Sequence, residues 1–138
     1  NEQPKYLTIK LQERDKIFGL DKIDKCKEVL VVEGPLDSLF LDNCIAVAGA
    51  DVPNLDCDFT VVFDNEPRNK ELLKQVEKAI NRGHKICLWP EGMEYKDIND
   101  MILGGYTKEE IQDLIKHNTY QGTTATLWFT KWRKINAQ

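Results

Sequence analysis

The sequence predicts an α/β fold, a mostly parallel central sheet flanked by helices, with a helical extension at its C-terminal end. Two observations predict it. Short runs rich in β-branched residues, at 29–33, 45–49, 59–63 and 85–89, alternate with segments of helical periodicity. These runs are close to continuously apolar, as in strands that a parallel sheet buries on both faces. An acidic residue also follows directly on two of the runs, where open α/β sheets carry their chemistry.

Each element has a local reason. Tyr6-Leu-Thr-Ile-Lys-Leu11 alternates apolar and polar residues, which predicts a half-exposed strand. Residues 13–28 are charged and irregular, a surface connection with a short turn at Phe18-Gly19-Leu20. The strand over 29–33 leads into a helix over 35–42, with Pro35 in the first turn, where a missing N–H costs nothing. Residues 45–49 and 59–63 supply the next strands. Over 69–82, Leu72, Leu73, Val76, Ala79 and Ile80 fall on one helical face, and Gly83 supplies the stop. Pro90 halts the strand over 85–89. A helix over 97–103 ends at Gly104-Gly105, and Thr107 with Glu110 forms a capping-box signature opening a helix over 107–117. Ala125, Trp128, Lys131, Trp132 and Ile135 have the spacing of an amphipathic terminal helix. The chain divides into an N-terminal strand and connection (1–28), a central core (29–105) and a C-terminal helical extension (106–138), with no internal repeat.

A length of 138 residues suits one domain able to bury its own core, and 41% hydrophobic with 30% charged residues describes an ordered globular chain. A net charge of −4 argues against a general nucleic-acid coat, whose affinity comes from neutralising phosphates. It leaves room for a nucleic-acid enzyme, because a metal site concentrates carboxylates. Cys26, Cys44, Cys57 and Cys87 lack the spacing of a zinc site or a disulfide framework. No run reaches transmembrane length and no signal peptide is evident, so the expected setting is a reducing cytoplasm without membrane contact. The opening residue, Asn1, fits a processed product or a piece of a longer protein.

The acids carry the chemical signal. Glu33 follows Val29-Leu-Val-Val, and Asp64 follows Val61-Val-Phe63; each is the first polar residue beyond a buried strand. Glu66 shares a side with Asp64 if the backbone stays extended there. Asp97 and Asp100 share a face if a helix begins at Asp97, and Asp37 lies one turn beyond Glu33. Clustered carboxylates raise one another's pKa unless a cation intervenes. Oxygen ligands without neighbouring His or Cys favour Mg²⁺ or Mn²⁺, which points to phosphoryl or nucleotidyl transfer, or to phosphodiester cleavage. For Asp37, Asp97 and Asp100, a helix cap or turn is an equally good account of the residue alone. Arg68, Asn69 and Lys70 are placed to meet phosphates near a helix N-terminus, or to form a solvated turn. Lys96 is a candidate for holding an anionic substrate, or is simply exposed. His84 and His117 read as surface residues. Trp128 and Trp132 read as core or docking residues, although Lys131, Arg133 and Lys134 beside them also suit backbone tracking and base stacking.

Taken together, these residues resemble a TOPRIM domain, the metal-binding fold shared by DnaG-type primases, topoisomerases and some nucleases. Glu33-Gly-Pro-Leu-Asp37 resembles the Glu-Gly-x-x-Asp motif of primases, Asp64-Asn-Glu66 the Asp-x-Asp motif, and Lys96-Asp97-Ile-Asn-Asp100 the third acidic motif of phage primases. The resemblance covers about residues 29–105, and the flanking Lys16-Ile-Phe-Gly-Leu and Trp132-Arg-Lys extend it towards T-even-type bacteriophage primases. Glu66 departs from the motif by one methylene. The resemblance implies RNA-primer synthesis on a single-stranded DNA template from nucleoside triphosphates, in the cytoplasm of an infected bacterial host. It implies that Glu33, Asp64 and Glu66 are catalytic and that Glu33, Asp37, Asp64, Glu66, Asp97 and Asp100 hold Mg²⁺ or Mn²⁺, with Lys96 and Arg68 on the substrate. It further implies a replicative helicase and the remainder of a primase chain as partners, and weak or absent activity for this segment alone. Two alternatives stand beside it: a TOPRIM nuclease or topoisomerase-like enzyme, for which no extra nucleophile is evident, and a non-enzymatic Mg²⁺-binding α/β module, against which Gly34-Pro35 after a single glutamate speaks.

Overall fold

The computed structural model describes residues 17–49, 51–52 and 55–135; the strand expected over 6–11 lies outside them. Five strands form one sheet: β1 (Val29–Val32), β2 (Cys44–Ala46), β3 (Phe59–Val62), β4 (Lys85–Cys87) and β5 (Thr119–Tyr120). Their spatial order is β2-β1-β3-β4-β5. The first four are parallel, with Val31 opposite Ile45 and Val61, and Val61 opposite Ile86. β5 runs antiparallel to β4. The helices are α1 (Pro35–Ser38), α2 (Lys70–Asn81), α3 (Ile98–Leu103), α4 (Lys108–His117) and α5 (Gly122–Ile135).

The continuously apolar strands are explained by the helices on both sides of them. Successive strand residues point to opposite faces, so Val31, Val61 and Ile86 face one layer while Val32, Val62 and Cys87 face the other. Leu72, Val76 and Ala79 of α2 and Ala125, Phe129 and Trp132 of α5 close the first layer. Ile98 and Met101 of α3, with Ile111 and Ile115 of α4, close the second. Truncating one of these large buried side chains to alanine costs about 2–5 kcal/mol. Trp128 is half-buried and donates its indole N–H to the Leu88 carbonyl at 3.1 Å, and Trp132 is buried. Both are core residues. Arg133 lies over the Phe129 ring, 5.2 Å from its centre.

The helix expected over 35–42 is a single turn. Beyond it, Leu39, Phe40 and Leu41 donate to carbonyls three residues back, which tightens the chain into turns. Asn43, at φ 52°, then reverses it into β2. The Asn43 amide donates to the carbonyls of Asp24 and Glu28 and accepts from the Asp24 N–H, tying the charged connection to the sheet. That connection contains a 3₁₀ turn at Leu20–Lys22. Phe18 pairs with Ala46 through two backbone bonds of 2.8 and 3.0 Å, which covers part of the β2 edge. β5 has no counterpart in the sequence reading; two residues carry no periodicity to recognise. Cys26, Cys44, Cys57 and Cys87 are free thiols. Among the described residues, no helix is long and apolar enough to cross a membrane.

Candidate acidic site at the strand ends

The parallel pairing brings the C-terminal ends of β1 and β3 side by side, and Glu33 and Asp64 leave the sheet there. Glu33 is exposed, while Asp64 is half-buried. Burial pushes the Glu33 carboxyl above its ordinary range, and a hydrogen bond with the backbone at Gly49 partly offsets this. Asp64 is pushed up to about 7, first by burial and then by the charges of Asp37, Asp97, Glu66 and Glu33. No opposing donor or cation is among those influences. Lys78–Asp51, Lys85–Glu28, Lys108–Asp42 and His117–Asp113 form ion pairs away from these acids.

Asp37 approaches from α1. Its side chain is 6% exposed and accepts a hydrogen bond from the Asn99 N–H at 2.7 Å, in the first turn of α3. Burial and the nearby Asp97 and Asp100 raise its pKa, against that hydrogen bond. Gly34 makes the approach possible, because a Cβ there would lie 2.9 Å from Asp37 Oδ2. Asp97 caps α3, its Oδ1 accepting from the Asp100 N–H at 2.8 Å. The capping reading of Asp97 therefore holds, and its charge still acts on Asp64 and Asp37.

Glu66 is reached differently from the expectation. β3 ends at Val62, and the Glu66 N–H donates to the Asp64 carbonyl at 2.9 Å, so the chain turns instead of staying extended. The turn carries the backbone through Pro67 to Asn69, whose side chain accepts from the Leu72 N–H and caps α2. The strand rule for placing Glu66 beside Asp64 thus fails, yet the turn keeps the Glu66 charge close enough to raise the Asp64 pKa. Glu66 and Arg68 border a surface groove with Met93 and Glu94. Lys96 is exposed, and its carbonyl accepts from the Asn65 N–H at 2.6 Å.

Sequence reasoning gave no role to Asn65. Its amide donates to the carbonyls of Met93 and Tyr95 at 2.9 and 3.2 Å, and its N–H to that of Lys96. These bonds latch the loop carrying Asp64 to the loop carrying Asp97. Its partners are backbone carbonyls about thirty residues away, and such partners leave no pattern in the sequence. Trp89 adds a buried strut, donating its indole N–H to the Phe63 carbonyl at 2.7 Å. The Asp64 carboxyl thus lies in the repulsive field of Asp37, Asp97, Glu66 and Glu33, and Asp37 in that of Asp97 and Asp100. Among the described residues, no three His, Cys, Asp or Glu side chains converge into a ready-made metal cage.

No family model matches the chain. Over 141 aligned residues, covering 95% of the chain, it is 38% identical to the DNA primase of Enterobacteria phage T4, and it spans 40% of that relative's length. The solved RNA polymerase domain of Mycobacterium tuberculosis primase DnaG superposes with a TM-score of 0.58 over 83% of the chain and 43% of that domain's chain, at 19% identity. At that identity the likeness is one of fold. The chain is therefore related in sequence, along nearly all its length, to a segment of a phage DNA primase, and it has a DnaG-like fold.

Proposed function

We propose that this chain is the TOPRIM-like, metal-binding catalytic segment of a phage-type DNA primase, which builds RNA primers on single-stranded DNA from nucleoside triphosphates. One observation supports the reading: the Asp64 carboxyl at the end of β3 is pushed up to about 7, first by burial and then by the charges of Asp37, Asp97, Glu66 and Glu33, with nothing to offset them. Such an arrangement is costly unless a cation joins it. The donor set is all hard oxygen, which fits Mg²⁺ or Mn²⁺.

Asp64, Glu66 and Asp97, with Asp37, Asp100 and Glu33 around them, would hold the metal. A metal held there would supply neutralisation of the triphosphate and polarisation of the attacked phosphorus. The chain's own residues do the rest. Glu33, exposed at the mouth with a raised pKa, takes the proton of the attacking 3′-hydroxyl. Asp37, fixed by the Asn99 N–H and the missing Cβ of Gly34, holds the α3 end of the acids in register. The Asn65 latch sets Asp64 against Asp97. Lys96 and Arg68, exposed on the two latched loops, meet the phosphates. The template-binding remainder of the primase, a replicative helicase and the cytoplasm of an infected bacterium complete the setting in which such a segment works.

The test is a chimera in which this chain replaces the matching segment of the phage T4 primase, assayed for template-directed ribonucleotide incorporation with Mg²⁺. Primer synthesis by the chimera, falling to background on Asp64→Ala, is the expected result. Synthesis that survives Asp64→Ala overturns the reading.

A further inference from the structure

The loop that joins β4 to α3 supplies the carbonyls of Met93, Tyr95 and Lys96 to Asn65, and it ends in Asp97. Asn65 holds this loop on the side of Asp64. The other side rests on the ring of Tyr95. That ring is half-buried against the second core layer. It stands edge-on to Tyr106, with ring centres 6.1 Å apart and planes at 87°, a geometry aromatic pairs prefer. Its outer edge lies on the backbone of Gly104.

Gly104 and Gly105 close α3 for different reasons. Gly105 has φ 109°, where glycine alone is unstrained. Gly104 has φ −82° and ψ −1°, which any residue adopts, and alanine is the better helix former. What Gly104 supplies is room. A Cβ there would overlap Cζ and Oη of Tyr95 and lie 2.7 Å from Cε1.

The helix between these contacts needs outside support. α3 has six residues and is about 9 Å long, too short to persist on its own. Ile98 and Met101 bury one of its faces. Its first turn meets the acids, through the Asp97 cap and through the Asn99 N–H on Asp37. Its last residue borders Gly104. Tyr95 therefore reaches the far end of α3 with its ring, while its backbone is tied to the loop of Asp64.

We propose that Tyr95 is a positioning residue of the acidic site, whose ring, seated on Gly104 against Tyr106, fixes the carbonyls that Asn65 grips and so sets Asp97 against Asp64. Tyr95 acts through Asn65 and Asp97, not on the substrate. The functional half of this assignment rests on the metal-binding reading of the acids.

The test uses three variants: Tyr95→Leu, which keeps apolar bulk without the ring, Gly104→Ala, which displaces the ring, and Tyr95→Phe, which keeps it. Amide hydrogen exchange is followed by nuclear magnetic resonance in the metal-free chain. The probe is the Asn65 N–H, bonded to the Lys96 carbonyl, and the reference is the Val47 N–H, bonded to the Val32 carbonyl at 2.9 Å on the far side of β1. Local opening of the latch should speed Asn65 exchange by at least about tenfold in Tyr95→Leu and Gly104→Ala relative to Val47. Mn²⁺ affinity, read by electron paramagnetic resonance, should fall by about tenfold in the same two variants, the usual effect of losing an outer support of a metal site. Tyr95→Phe should match the wild type in both. Asn65 exchange unchanged in both variants overturns the proposal, and so does equal acceleration of Asn65 and Val47, which marks a general loss of stability. Unchanged Mn²⁺ affinity in a variant with fast Asn65 exchange overturns it as well. The metal-binding reading fails by a different result, a wild-type chain that binds no Mn²⁺ while its Asn65 exchange still depends on Tyr95.

Discussion

Asp64 bears the largest burden of any single residue in the site. Its carboxyl is pushed up to about 7 from an ordinary value of 3.8, because burial and four like charges disfavour its ionised form. A pKa raised by folding contributes stability that is complete below about pH 4 and is lost as pH climbs through about 7. The raised carboxyls of Glu33 and Asp37 act in the same direction. In chelator, Asp64→Asn should therefore be more stable than wild type at pH 8, by on the order of 3 kcal/mol, and nearly equal to it at pH 4. Urea unfolding at the two pH values measures this; parallel curves for both proteins would contradict it. Added Mg²⁺ should reverse the ranking, since a ligand that binds only the folded form stabilises it. The positions of Glu33 and Asp64 were legible in the sequence because an apolar run ends abruptly at each. The placement of Glu66 was not, because a turn of three residues has no hydrophobic period to announce it.

At the scale of elements, three helices begin on capping residues that the sequence displays. Asn69, Asp97 and Thr107 each accept from a backbone N–H three residues on, and Thr107 closes a capping box with Glu110. Their lengths were legible for the same reason, with Gly83 and Gly104 marking two of the ends. α1 was not, because the need to reach Cys44 within a few residues overrides its helical pattern. The loops between elements do the assembly, and Asn65 is the clearest case. Asn65→Ala removes two amide bonds and leaves the carbonyls of Met93 and Tyr95 unpaired, which should cost about 1–2 kcal/mol. It should also weaken Mn²⁺ binding, because Asp64 is no longer held against Asp97. Asn69→Ala removes only a cap and should cost about 1 kcal/mol with metal binding kept. Calorimetric titration of both variants beside their unfolding curves separates the two roles; equal metal affinities would remove Asn65 from the site.

For the whole molecule, topology turns three weak local signals into one site. The order β2-β1-β3-β4 sets the ends of β1 and β3 together and brings the loop after β4 against them. Acids far apart in the chain become neighbours as a result. The chain spans 40% of the length of the phage primase it resembles, and the residues of the proposed metal site all lie within it. The direct measurement is a Mn²⁺ titration of the chain, followed by electron paramagnetic resonance, beside the double variant Glu33→Ala/Asp64→Ala. Saturable binding by the wild type, weakened by more than about a hundredfold in the variant, is the predicted result. Equal binding by the two proteins, or none by the wild type, would contradict the metal site and the primase chemistry built on it.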